Sequence, residues 1–229
     1  MPADTAHYFV HRVLARPLGW SAVGAAASAI DKAMGEAGGA LYGAWRSQIG
    51  RPRDEVTLIS RWTEDVASDV AEQALLSVVA PVREASTRPM RTTLRPLTGD
   101  APRRQGNFAF RWFETPKENY AEFLKLCAEA WPGFEASYDS QVLGLWRLEP
   151  PAKKGKATAK ANADQSVRTL LLTRRPDLAM WERSKIPKGK KEQLVRERLS
   201  RRYDLCDDTW VFTTTLLTAD DTEDDVRWT

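Results

Sequence analysis

Arg12 and Arg111 are charged residues set inside two apolar runs, YFVHRVLARP (8–17) and NFAFRWFETP (107–116). Aligned without a gap, these runs put Phe9 on Phe108, Arg12 on Arg111 and Pro17 on Pro116. A guanidinium offers planar, bidentate hydrogen bonding, so an arginine held in an apolar strand can clamp an anion or polarise a carbonyl. The plainer reading is that each arginine reaches a rim or pairs with a carboxylate of the opposite half. Tyr8 and His11 stand beside Arg12, and an imidazole is suited to general-base work near neutrality. His7 and His11 are the only histidines, and four residues of strand set them roughly 13 Å apart, too far to share a metal. The residue aligned with His11 is Phe110, so a histidine that only fills space is the alternative. Trp45, Trp62, Trp112, Trp146 and Trp181 can form a flat slot for a polycyclic aromatic ligand, or simply fill a large core. Cys127 lies between Leu124 and Ala128 on one helical face and reads as a small buried residue.

The elements that must position these residues are written twice. Tyr42-Gly43-Ala44-Trp45-Arg46 matches Leu143-Gly144-Leu145-Trp146-Arg147, VTLISRW (56–62) matches TLLLTRR (169–175), and MRTTLRPLT (90–98) matches WVFTTTLLT (210–218). Strands are expected at 8–14, 41–48, 55–62 and 91–97, with helices at 21–35 and 66–84. The second half is expected to give strands at 107–113, 141–148, 166–174 and 210–217, with helices at 117–130 and 176–202. Each half then has the βαββαβ order of a ferredoxin-like unit. Phe9, His11 and Val13 share one strand face, while Tyr8, Val10, Arg12 and Leu14 share the other. Both faces are largely apolar, which a sheet with one wet side would not show. The expected fold is therefore α+β: two tandem ferredoxin-like repeats, 1–100 and 101–218, whose sheets close on each other as an intramolecular, pseudo-dimeric α+β barrel. Divergence at the aligned pairs Tyr8/Asn107 and His11/Phe110 predicts at most one competent pocket.

The segment GAWRSQIGRPRDEVTLISRW (43–62) resembles the signature of the NIPSNAP family in Gly43, Trp45, Ile49-Gly50, Asp54, Val56 and Trp62. The second half keeps Gly144 and Trp146 but replaces the Ile-Gly turn with Glu149-Pro150-Pro151 and a Lys/Ala-rich insertion (151–166). The resemblance implies the dimeric α+β barrel superfamily, which holds cofactor-independent monooxygenases, small cyclases and isomerases, and haem-binding relatives. Those haem binders use a proximal histidine in the second repeat, and no histidine lies beyond position 11 here. The expectation is a protein without metal or cofactor that binds a hydrophobic or aromatic small molecule. In it Arg12 or Arg111 would polarise a carbonyl or enolate, with Tyr8, His11 or the tryptophans positioning the ligand.

Bulk properties bound the alternatives. The 229 residues carry a net charge of +3, too small to argue for nucleic acid by itself. Residues 151–202 hold 16 Lys and Arg against 5 Asp and Glu, and the tail (219–229) carries five acids. That basic surface and acidic tail could serve a non-catalytic interaction scaffold, the rival reading. No RNP-type motif accompanies the basic residues, so nucleic acid is disfavoured as a partner. No apolar run is long enough to span a membrane, and no signal-peptide pattern follows Met1. Two widely spaced cysteines fit a reducing compartment, so a cytoplasmic protein is expected, either a monomeric pseudo-dimer or a homodimer.

Overall fold

The computed structural model describes residues 2–16, 19–79, 82–149 and 165–220. The first half contributes β1 (His7–Leu14), α1 (Gly19–Ala25), α2 (Ala27–Glu36), β2 (Gly39–Ile49), β3 (Glu55–Trp62), α3 (Ser68–Leu76) and β4 (Glu84–Arg95). The second contributes β5 (Asn107–Pro116), a 3-10 turn (Lys117–Asn119), α4 (Tyr120–Tyr138), β6 (Gln141–Leu148), β7 (Ser166–Arg175), α5 (Leu178–Arg183), α6 (Lys190–Asp204) and β8 (Asp208–Leu216). All eight strands pair antiparallel in one closed barrel, in the order β1-β3-β2-β8-β5-β7-β6-β4. Two seams join the halves, β2 with β8 and β4 with β6. Closure removes every sheet edge and gives each apolar strand face a partner, inward across the lumen or outward under helices. The alternating faces accordingly build three cores, one in the lumen and one beneath the helices of each half.

The lumen is packed solid at its middle. Tyr8, Tyr42 and Trp146 meet with ring centroids 5.5 to 6.1 Å apart, and Trp45 contacts Phe108 and Phe110 at 5.9 and 5.2 Å. The repeated Gly-x-Trp explains the fit. Residues two apart on a strand share a face, so each indole folds back across the bare Cα of its glycine. A Cβ at Gly43 would lie 2.5 Å from the Trp45 ring, and one at Gly144 would lie 2.0 Å from the Trp146 ring.

The strand register corrects the gap-free match of the first strands. Trp45 pairs with Thr57 and Trp146 with Leu170, which makes Thr57 and Leu170 equivalent. Thr57 pairs with Arg12, whereas Leu170 pairs with Trp112. The counterpart of Arg12 is therefore Trp112, and that of Arg111 is His11. A slip of one residue flips every side chain to the other face. Arg12 points to the barrel interior and Arg111 to the helices. Both faces of these strands are apolar, so the hydrophobic pattern alone could not fix the register. The match of Met90 with Trp210 is likewise displaced, by four residues: Tyr8 pairs with Met90 and its counterpart Phe108 with Thr214.

Several boundaries also differ from expectation. The first helix is two, α1 and α2, and the second stops at Leu76 instead of running to position 84. β4 starts at Glu84 rather than Arg91, despite Pro89 within it. The expected helix 176–202 is broken between α5 and α6, where Gly189 has a φ of 85° and Pro187 precedes it. The insertion and the acidic tail lie almost wholly outside the described residues. Among those described, no helix is long and apolar enough to cross a membrane.

Candidate functional site

Beneath the helices of the second half is a cavity of about 250 Å³, with an adjoining recess of about 60 Å³. Its floor is the outer face of β5 and β7, where Ala109 pairs with Thr173, flanked by Arg111 opposite Leu171 and by Arg175 opposite Asn107. The small Ala109–Thr173 pair leaves the space open. Helix spacing supplies the walls. Trp131, Phe134 and Tyr138 lie on one face of α4, and Val195, Leu199, Arg202 and Tyr203 lie on one face of α6. Trp181 of α5 covers the opening beside Lys185. Asp177 caps α5 by accepting the Met180 amide at 2.6 Å, which fixes where that indole sits.

Three guanidinium groups converge here: Arg111, Arg175 and the buried Arg202. None is paired with a carboxylate among the described residues. Arg175 lies 4.5 Å over Trp181 and 5.1 Å from Phe134, and donates to the Thr173 hydroxyl at 3.2 Å. Arg111 lies 5.4 Å from the Tyr203 ring and 5.9 Å from Trp181. Arg202 donates to the Cys127 sulfur at 3.6 Å and to the Tyr203 hydroxyl at 3.4 Å. The Nε groups of Arg175 and Arg202 are buried without an acceptor. Desolvation, with Arg111 nearby, lowers the Arg175 pKa to about 10. Burial also lowers that of Arg111. Burial alone would raise the Tyr203 phenol, but Arg202 and Arg111 outweigh it and hold the phenol below its ordinary value. An uncompensated buried cation is costly, and flat aromatic walls with several guanidinium forks describe a receptor for a planar anion.

In the first half the equivalent place between sheet and helices is filled. By register, Phe9, His11, Ser60 and Trp62 occupy the places of Ala109, Arg111, Thr173 and Arg175. Phe9 and Trp62 meet edge to face at 6.2 Å and fill the space. His11 is fully buried, with Nε2 2.8 Å from the Ser60 hydroxyl and Nδ1 2.9 Å from that of Thr87. Trp62 donates its indole N–H to the same Ser60 oxygen at 2.8 Å. Both ring nitrogens of His11 are thus engaged by hydroxyl groups.

Of the expected site residues, His11, Arg12 and Trp112 line one cavity at the barrel mouth, while Tyr8, Trp45, Trp62 and Trp146 are packed elsewhere. Arg12 is tied to Glu55 at 2.6 Å and Glu84 at 2.9 Å, both in its own half rather than the opposite one. Tyr8 is fully buried in the lumen and donates to Asp4 at 2.7 Å. Trp45 and Trp146 are lumen packing, and Trp62 is packed under the first half's helices. Trp112 lines the cavity at the barrel mouth, and Trp181 lines the sheet–helix cavity. Arg175, Arg202 and Tyr203 were not singled out as a site from the sequence, whereas Trp181 was among the tryptophans read as a possible aromatic slot. The spacing of Val195, Leu199, Arg202 and Tyr203 was a usable signal, since it places an arginine on the apolar stripe of an otherwise basic helix.

Neither a family model nor a curated protein matches the chain. Solved structures do resemble it over nearly its whole length. A proposed monooxygenase of Lactobacillus acidophilus superposes with a TM-score of 0.55 at 11% identity, covering 94% of this chain and 95% of its own. An anthrone oxidase-like protein gives 0.51 at 11% identity, with 93% and 92% covered. A chlorite dismutase variant of Candidatus Nitrospira defluvii gives 0.51 at 7% identity, with 94% and 92% covered. What they share with this chain is the fold. It is the dimeric α+β barrel, with both halves in one polypeptide.

The second-half cavity does not fit a histidine-ligated haem. Arginine, aromatic and aliphatic side chains line it, Cys127 beside it is engaged by Arg202, and both histidines belong to β1. Among the described residues no three His, Cys, Asp or Glu side chains gather as a metal site.

Proposed function

We propose that this protein binds one planar, anionic aromatic small molecule between the sheet and helices of its second half. The observation that carries this reading is the convergence of Arg111, Arg175 and Arg202, without carboxylate partners among the described residues, on a cavity walled by Trp181, Phe134 and Tyr203. The filled counterpart in the first half supports a single pocket. Of the two arginines marked out by the sequence, Arg111 is the one available to a ligand, since Arg12 is occupied by Glu55 and Glu84. The NIPSNAP-like segment and the fold together favour cofactor-independent oxidation, cyclisation or isomerisation as the chemistry. Arg111 or Arg175 would then stabilise the charge that develops on a carbonyl or enolate oxygen. Tyr203, whose phenol faces the same guanidinium groups, would exchange a proton with it.

Calorimetry with 2-naphthoate tests the binding. A charged hydrogen bond contributes about 1.5–3 kcal/mol, so Arg111→Gln and Arg175→Gln should each weaken binding about tenfold or more. Arg12→Gln should leave this affinity unchanged, and the neutral 2-naphthamide should bind far more weakly. Equal affinity for the amide, or no loss in either variant, would overturn the reading.

A further inference from the structure

The end of the barrel lumen nearest Arg12 opens as a second cavity of about 250 Å³, on the opposite side of the sheet from the first. β4 makes this mouth. Its lumen-facing residues Glu84, Ser86 and Arg88 are exposed, and the lumen becomes closed only at Met90. The same repeat relation that corrects the first strands pairs residues across the mouth. Arg12 is the counterpart of Trp112, Thr57 of Leu170, Ser86 of Trp210 and Arg88 of Phe212. At every one of these positions the first half presents a polar group and the second an apolar one.

The aromatic wall is flat and ordered. Trp112 and Trp210 stack at 6.0 Å with 10° between their planes, and Phe212 stacks on Phe110 at 5.1 Å with 3° between them. The polar wall is nearly charge-balanced. Arg12 is paired with Glu55 and Glu84, Arg51 with Glu55 at 3.6 Å, and Arg168 with Glu114. Arg88 has no carboxylate partner among the described residues. Four guanidinium groups thus face three carboxylates, leaving one positive charge, and the hydroxyls of Ser86 and Thr57 flank it. The volume equals that of the sheet–helix cavity.

We infer that the barrel mouth is a second binding site, for a single-ring aromatic monoanion. Its ring packs at the aromatic wall beside the Arg168 and Arg51 guanidinium groups, which lie 5.6 Å over Trp210 and 4.8 Å over Phe212, and its carboxylate turns to Arg88 and Ser86. The site does not depend on the sheet–helix cavity, with which it shares no lining residue.

Crystals of the full chain soaked with 4-iodobenzoate test it, because the anomalous iodine signal reports which cavity is filled. The expected result is iodine beside Trp210 at the mouth, whether or not the sheet–helix cavity is also occupied. Calorimetry on Arg88→Gln, a substitution at the exposed rim that leaves the core intact, should show about a tenfold loss of one class of 4-iodobenzoate sites. Trp210→Leu should weaken the same class, and Arg175→Gln should not. Iodine only in the sheet–helix cavity, no iodine in either, or an unchanged Arg88→Gln titration would overturn the inference. So would equal binding of the neutral 4-iodobenzamide at the mouth. An empty sheet–helix cavity with a filled mouth would instead count against the proposed function alone.

Discussion

His11 is the residue where burial has the plainest measurable consequence. Desolvation lowers its pKa from 6.5 to about 3, and its two ring nitrogens are already satisfied by Ser60 and Thr87. Above pH 6.5 the imidazole is neutral in both folded and unfolded chains, so no linkage arises. Between pH 6.5 and about 3 the unfolded chain binds a proton that the native chain does not. Stability must therefore fall as the pH falls, by up to about 1.4 kcal/mol per pH unit from this residue. Carboxylates such as Asp4, which Arg61 holds at about 2, add their own acid sensitivity at lower pH. The comparison with His11→Gln isolates the histidine. Denaturant titrations from pH 7 to 4 should show a shallower decline in the glutamine variant. Parallel declines would mean that His11 is protonated in the native protein. His11 is buried with both ring nitrogens held by Ser60 and Thr87, and Tyr203 is the phenol that faces the proposed ligand.

At the scale of the element, the Gly-x-Trp strands hold the lumen together, and they are also where the sequence was most legible. Gly144 has no room for a methyl group, because the nearest ring atom of Trp146 would sit 2.0 Å from it. Gly144→Ala should destabilise the fold by about 1–3 kcal/mol, the cost of overpacking. The loss should shrink in a Trp146→Leu background, where nothing lies across the glycine, so a denaturant double-mutant cycle reads the contact directly. An equal loss in both backgrounds would assign the effect to the strand rather than to the indole. The Gly-x-Trp match was correct in register because a glycine two residues before a tryptophan is a steric requirement. The third match, 56–62 with 169–175, was correct as well. The first failed because Phe9-Val10-His11-Arg12 and Phe108-Ala109-Phe110-Arg111 are apolar on both faces, and nothing local says which face is inward. β4 was misjudged at its start because Pro89 argues against a strand, so the mouth with Ser86 and Arg88 was invisible. In the second half, Arg111 stood out as a charge in an apolar run. Arg175 and Arg202 sat among the basic residues of β7 and α6, where a solvated face is the usual explanation, and only tertiary packing turns them inward.

For the whole molecule, the barrel is a single cooperative object although its halves repeat. Each half has a core beneath its own helices, but the lumen core belongs to neither half alone. Tyr8, Tyr42, Trp45 and Met90 from the first must meet Phe108, Phe110, Trp146 and Leu172 from the second. The β2–β8 and β4–β6 ladders satisfy the edges that separated halves would expose. The covalent link through 96–106 therefore adds little to what the seams already hold. A protease site placed at the exposed Arg103 and Arg104 of that segment should be cut without releasing the halves. The nicked protein should run as one particle on a sizing column and give one denaturation transition, because opening either seam exposes the lumen of both halves. Two folded fragments that separate after cleavage, or two transitions in the intact chain, would show that each half carries its own stability. The lumen would then be an interface between domains instead of a shared core, and a ligand at the mouth, whose walls come from both halves, would tighten their association. In the single-core case, bound 4-iodobenzoate raises the one transition and leaves its cooperativity unchanged.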